Sequence, residues 1–162
     1  MSGVRMRMRM RVWVVSGVCA GAGLVAGAAA VAAPLPEADL AFHGTAQMAG
    51  DMVDVRLTPR NNGPAAVTDA TVRLRWSVPL AVEQQLPARC AREDERTVVC
   101  STGALAANAV GEQVEVPVRL SQKPSDVTLS VDTAWGGGAV DRDHTNDQVK
   151  VLVLDTGDAY AF

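Results

Sequence analysis

The sequence predicts an all-β protein, an Ig-like antiparallel β-sandwich of seven or eight strands behind an N-terminal signal peptide. Three observations carry that prediction. Apolar and polar residues alternate with period two in successive short runs after residue 36, with no competing helical period. Turn-forming residues separate the runs. All 18 acidic residues lie beyond position 36, whereas four of the 15 basic residues (Arg5, Arg7, Arg9 and Arg11) fall in the first eleven.

The leader comes first. Residues 1–11 are a basic stretch without an acid, and residues 12–33 are an uncharged run rich in Ala, Val and Gly. The run ends Ala30-Val31-Ala32-Ala33 before Pro34. A positive segment, an apolar segment and an A-x-A site together make a secretory signal peptide. Cleavage is expected after Ala32, because only small side chains fit the peptidase pocket before the cut. An uncleaved N-terminal anchor is the alternative, since the run is long enough to span a bilayer. Gly17, Gly21, Gly23 and Gly27 and the alanine-rich composition argue against it. Cys19 follows Val18, which is too large to precede a lipidated cysteine, and no twin arginine marks a folded-protein export route. The expected organisation is residues 1–32 as signal peptide, 33–155 as sandwich domain and 156–162 as a C-terminal tail that frays.

Composition bounds the function. At 48% hydrophobic and 20% charged, the 162-residue chain is too apolar to be disordered. Cleavage leaves 11 basic residues against 18 acidic ones, so the net charge moves from −3 to −7, and Lys123 and Lys150 are the only lysines. Nucleic acid and anionic membranes or wall polymers repel such a surface. The partners expected are an extracellular protein or polysaccharide, with no nucleic acid and, after cleavage, no membrane.

The strands follow in order. A short strand is expected near residues 39–45. Val53, Val55 and Leu57 alternate with Asp54, Arg56 and Thr58, and Asn61-Asn62-Gly63-Pro64 then forms a turn in which Gly63 can take positive φ. Val72, Leu74, Trp76 and Val78 form the next apolar face, which puts Trp76 in the core. Another strand covers Thr97–Ser101. Val114, Val116, Val118 and Leu120 alternate with Glu115, Pro117 and Arg119, and because Pro117 cannot donate to a ladder this strand belongs at an edge or a bulge. Val127, Leu129 and Val131 lead into Thr133 and Trp135, and Val149, Val151 and Val153 close the series. One apolar and one polar face per strand suit two antiparallel sheets packed face to face, with a small barrel as the alternative.

Cys90 and Cys100 stand ten apart, flanking the charged segment from Ala91 to Arg96. In an exported protein such a pair is read as a disulfide, here closing a hairpin whose tip is the charged segment. A metal site would need further ligands, and His43 and His144 are remote in sequence.

The order of motifs resembles a known family. Asn62-Gly63-Pro64, the run to Val78-Pro79, the Cys90 and Cys100 pair, Gly103-x-Leu105 and Asp141 to Asn146 follow one another as in the bacterial surface Ig-like "conserved repeat" family. That family is known as domain of unknown function eleven and is similar to the cell-adhesion-related domain found in bacteria. The resemblance covers most of residues 50–154 and implies an Ig-like fold and an extracellular setting. Leu80-Ala81 replaces the usual glycine turn, Asn108 stands where a glycine is expected, and Asp147 replaces a closing asparagine. The family usually occurs as tandem arrays, whereas one copy is read here.

Few residues suggest chemistry. Asp141, Asp143 and Asp147 offer oxygens for calcium, but the loop lacks an EF-hand's glycine and distal glutamate and carries Arg142. A solvated turn in which Asp and Asn side chains bond their own backbone is the preferred reading. Trp135, beside Gly136-Gly137-Gly138, would stack on a sugar if exposed, but its parity with Val127, Leu129 and Val131 places it in the core. Leu152 and Leu154 make the last strand apolar on both faces, which fits either burial on both sides or a partner-binding edge. No catalytic residues are assigned, since no G-x-S-x-G, H-E-x-x-H or phosphate loop is present, and no cofactor is expected. The function expected is a secreted, non-enzymatic domain with a structural or adhesion-type interaction role. A carbohydrate-binding module is the alternative, followed by an exported protease inhibitor acting through the cysteine hairpin.

Overall fold

The computed structural model describes residues 34–162, so the expected leader over residues 1–32 lies outside the described residues. The alternating runs become strands. In order these are β1 (Glu37–Ala38), β2 (Leu40–Ala49), β3 (Met52–Asn61), β4 (Thr71–Trp76), β5 (Cys90–Arg92), β6 (Thr97–Ser101), β7 (Ala109–Val110), β8 (Val114–Arg119), β9 (Asp126–Trp135), β10 (Val140–Asp141), β11 (Gln148–Leu154) and β12 (Ala159–Ala161). Seven of them have five residues or more.

They form two five-stranded antiparallel sheets. The first runs β12-β2-β3, with β7 and β8 end to end along the far side of β3, and the second runs β11-β9-β4-β6-β5. A short parallel pair, β1 with β10, lies apart from both. The inward faces share one core in which Phe42, Met48, Val55 and Val116 from the first sheet meet Leu74, Trp76, Leu129 and Val153 from the second. Trp76 is 1% exposed, as its mid-strand position predicts. A smaller cluster of Ala38, Leu40, Val67, Ala70 and Leu105 fills one end.

β2 is longer than the expected 39–45 segment. Its apolar parity continues through Ala46 and Met48, both buried, and it pairs with β3 over its whole ten residues through a turn at Gly50 and Asp51. Gly44 sits mid-strand because the Phe162 ring lies there: a Cβ on Gly44 would come within 2.7 Å of that ring.

Two expectations need correction. The tail does not fray: Ala159–Ala161 pairs with Thr45–Gln47, and Phe162 exchanges both backbone hydrogen bonds with Gly44 at 3.0 Å. Tyr160 and Phe162 then pack against the main core, and that burial holds the terminus in place. Gly63 does not adopt positive φ. Its role is close approach, since a Cβ there would lie 2.6 Å from the Ala38 backbone. Among the described residues Asn108, at φ 53°, is the non-glycine residue in the left-handed region. Asparagine is among the residues that tolerate that region best.

Buried Asn61 ties this end together. Its Oδ1 accepts the Gly63 N–H at 3.0 Å and the Asp39 N–H at 3.3 Å, and its Nδ2 donates to the Ala65 carbonyl at 2.7 Å. One side chain thereby holds both the N-terminal segment and the turn after β3.

Candidate functional site

The chemistry-bearing residues sit at the two lateral sides of the sandwich and at one end. The first side is formed by β8, the edge of the first sheet, and by the disulfide hairpin β5–β6 at the edge of the second. Cys90 and Cys100 are bonded and are direct cross-strand partners, with the charged segment forming the tip as expected. Asp94 organises that tip. The Arg96 N–H bond to its carboxylate, reinforced by the Thr97 hydroxyl, holds its pKa below the ordinary aspartate value.

Arg92 anchors the hairpin to the segment that follows β4. Its guanidinium donates to the carbonyls of Ala81 (2.7 Å), Asp94 (2.8 Å), Val82 (3.0 Å), Leu80 (3.3 Å) and Glu95 (3.3 Å). Its planar set of five donors matches that ring of acceptors, which a lysine could not do. The segment so held runs beside β8. Gln84 completes the edge, with Oε1 accepting the Arg119 N–H at 2.9 Å and Nε2 donating to the Arg119 carbonyl at 2.8 Å. Arg119 therefore points its backbone groups outward, and so does Pro117, two residues away. The missing N–H of Pro117 falls on the solvent side, so the proline costs β8 no ladder bond. An open groove of about 930 Å³ remains beside it, lined among others by Met52, Val82, Gln84 and Arg119.

The opposite side is bounded by β11, the other edge of the second sheet, paired only with β9. Leu152 and Leu154 are 53% and 38% exposed, so β11 is not buried on both faces. Of the two expectations for this strand, the structure retains the edge. Its backbone groups divide cleanly. Asp155 N–H bonds the carbonyl of Ser125, the residue just before β9, so odd-numbered residues face β9. The carbonyls of Asn146 and Leu154 accept bonds from Phe42 and Thr156, so even-numbered residues face away. Between those two covered points, Gln148, Lys150 and Leu152 present the outward edge.

Trp135 departs from its expected burial and is 52% exposed. Thr71 pairs with Trp135 while the next residue, Val72, pairs with Thr133, so Ala134 is an extra residue in β9. This bulge reverses the parity beyond Thr133 and turns the indole to the outer face, beside Thr71. On the same outer face Arg73 bridges Asp132 at 3.0 Å and Glu93 at 3.2 Å.

The Asp141 loop closes one end. Asp141 accepts the N–H groups of Leu40 (2.7 Å) and Asp143 (3.0 Å), and Asp143 accepts both the N–H and the hydroxyl of Thr145. Those bonds, the hydroxyl first, hold the Asp143 pKa below the ordinary value. Asn146 donates to Asp39 at 2.7 Å. These are the turn bonds the sequence suggests for a solvated loop, and they pin β1 and the start of β2. Asp147 is the exception: it is 2% exposed and reaches only His144, Nδ1 to Oδ2 at 3.1 Å. That hydrogen bond, with the Asp147 charge behind it, raises the His144 pKa above the ordinary imidazole value. Among the described residues no three His, Cys, Asp or Glu side chains converge as a metal site.

Arg92 and Gln84 carry much of this architecture without having been singled out in the sequence, whereas Asn61 was read only as a turn residue and Phe162 only as part of a frayed tail. No protein-family model matches this chain, and no curated protein matches it in sequence.

Proposed function

We propose that this chain is a secreted, non-enzymatic Ig-like domain with a protein-interaction role of the adhesion type at the cell exterior. The open β11 edge, flanked by exposed Leu152 and Leu154, carries this reading. An unpaired edge with apolar neighbours is a template for an added strand. The disulfide supports an oxidising compartment, and the resemblance to bacterial surface repeats supports an extracellular setting. A pull-down from the source culture tests it, comparing the wild type with Lys150→Pro. The proline removes an outward N–H and leaves the bonds to β9 intact. Partners captured by the wild type and lost by the variant are expected. Equal capture by both would remove β11 from the reading.

The bulge that exposes Trp135 favours a second reading, a carbohydrate-binding module in which the indole stacks on a sugar ring. Trp76 is buried, so polysaccharide-induced changes in the fluorescence of the mature domain would report Trp135. A spectrum unmoved by every polysaccharide tried would end that reading.

A further inference from the structure

We propose that the partner received by the β11 edge is a second copy of this chain, joined antiparallel about a two-fold axis with Leu152 opposite the second copy's Leu152. This rests on the protein-interaction reading and names its partner.

The outward backbone groups of β11 belong to even-numbered residues, so an added strand must align its own outward residues with them. For two identical strands related by a two-fold axis, three registers bring Lys150 and Leu152 into use. One sets Lys150 opposite Lys150, and like charges directly opposed are destabilising. A second sets Lys150 opposite Leu152 and Gln148 opposite Leu154, which leaves each leucine against a polar group. The third sets Leu152 against Leu152 and Lys150 against Leu154, where the added ladder ends because the Leu154 carbonyl already accepts the Thr156 N–H.

Only the third both avoids opposing like charges and sets a leucine against a leucine. Leu154 is the cross-strand partner of Asp126 on β9, so Lys150 of one copy shares a row with Asp126 of the other, two strands away. Two strand spacings amount to about 10 Å, which a lysine and an aspartate side chain span together. Lys150 makes no ion pair among the described residues, and Asp126 holds only the neighbouring Ser125 hydroxyl. The contact gives each an opposite charge and covers the exposed leucines of both copies. The interface is isologous and closes on itself, as two-fold symmetry requires.

Sedimentation velocity on the exported protein, over a concentration series, tests this. The wild type should form a dimer. Lys150→Pro should be monomeric with an unchanged circular dichroism spectrum, because its lost N–H faces away from β9. Lys150→Glu should dissociate the dimer, and Lys150→Glu with Asp126→Lys should restore it. Leu152→Cys should cross-link to itself on oxidation. A wild type monomeric at every concentration, or a dimer that survives Lys150→Pro, overturns the proposal. If the monomeric wild type instead captures another protein through β11, the interaction reading stands and self-association alone falls.

Discussion

Replacing Cys90 and Cys100 together by alanine removes a covalent tie between directly paired strands at the edge of the second sheet. The magnitude follows from the loop it closes. For a sequence separation of ten, the chain-entropy relation gives about 2.7 kcal/mol at room temperature. The unfolding entropy of a domain of about 130 residues is roughly 0.27 kcal/mol/K near its midpoint, so the midpoint should fall by about 10 °C. Calorimetry measures this directly, and reductant supplies the control: it should lower the wild-type midpoint by a similar amount and leave the double variant unmoved. The loss should be concentrated locally, because β5 pairs only with β6 and carries Arg92, whose five carbonyl contacts hold the segment following β4. Hydrogen exchange should therefore quicken between residues 80 and 92 before it does in β3 or β9. A midpoint unchanged in the variant, or a wild type indifferent to reductant, would refute the reasoning.

Asn61→Leu should destabilise by roughly 2–3 kcal/mol in denaturant titrations, because three backbone groups lose their partner at a buried site. Deleting residues 156–162 uncovers Gly44 and removes Tyr160 and Phe162 from the core, so the midpoint should fall and the outer edge of β2 should lose exchange protection. By NMR titration, Asp147→Asn should return His144 toward the ordinary imidazole pKa near 6.5. The sign for stability follows from the raised folded value. The His144 contribution is fully present below the unfolded pKa and is lost as pH rises through the folded one, so His144→Ala should cost more in mild acid than at alkaline pH. An equal cost at both pH values would show that the imidazole charge plays no part.

The strand ladder was legible because each long strand has one solvated and one buried face, and alternation records that directly. Pro117 announced an edge for the same reason, since a residue without an N–H is excluded from a strand paired on both sides. Trp135 was misread where a single extra residue, Ala134, reverses the parity. A bulge of one residue leaves the alternation before it intact and carries no composition signal of its own. The terminal strand was too short for a period to register, and its pairing depends on β2, more than a hundred residues earlier. The position of β11 at an edge was offered but not decided, because strand order is a long-range property that no local pattern encodes. Its two apolar faces were plain, and the exposure of Leu152 and Leu154 at an edge strand removes burial on both sides as their explanation.

The four sheet edges differ in how far they can be extended. β5 and β12 have three residues each, and β8 is occupied by Gln84 and blunted by Pro117. β11, with seven residues, is the long edge left uncovered. With one such edge among the described residues, a strand can be added there once, and the second copy's own edge is consumed in the act. Association through β11 would therefore end at two copies, because the sheet so joined presents only the three-residue β5 at either end.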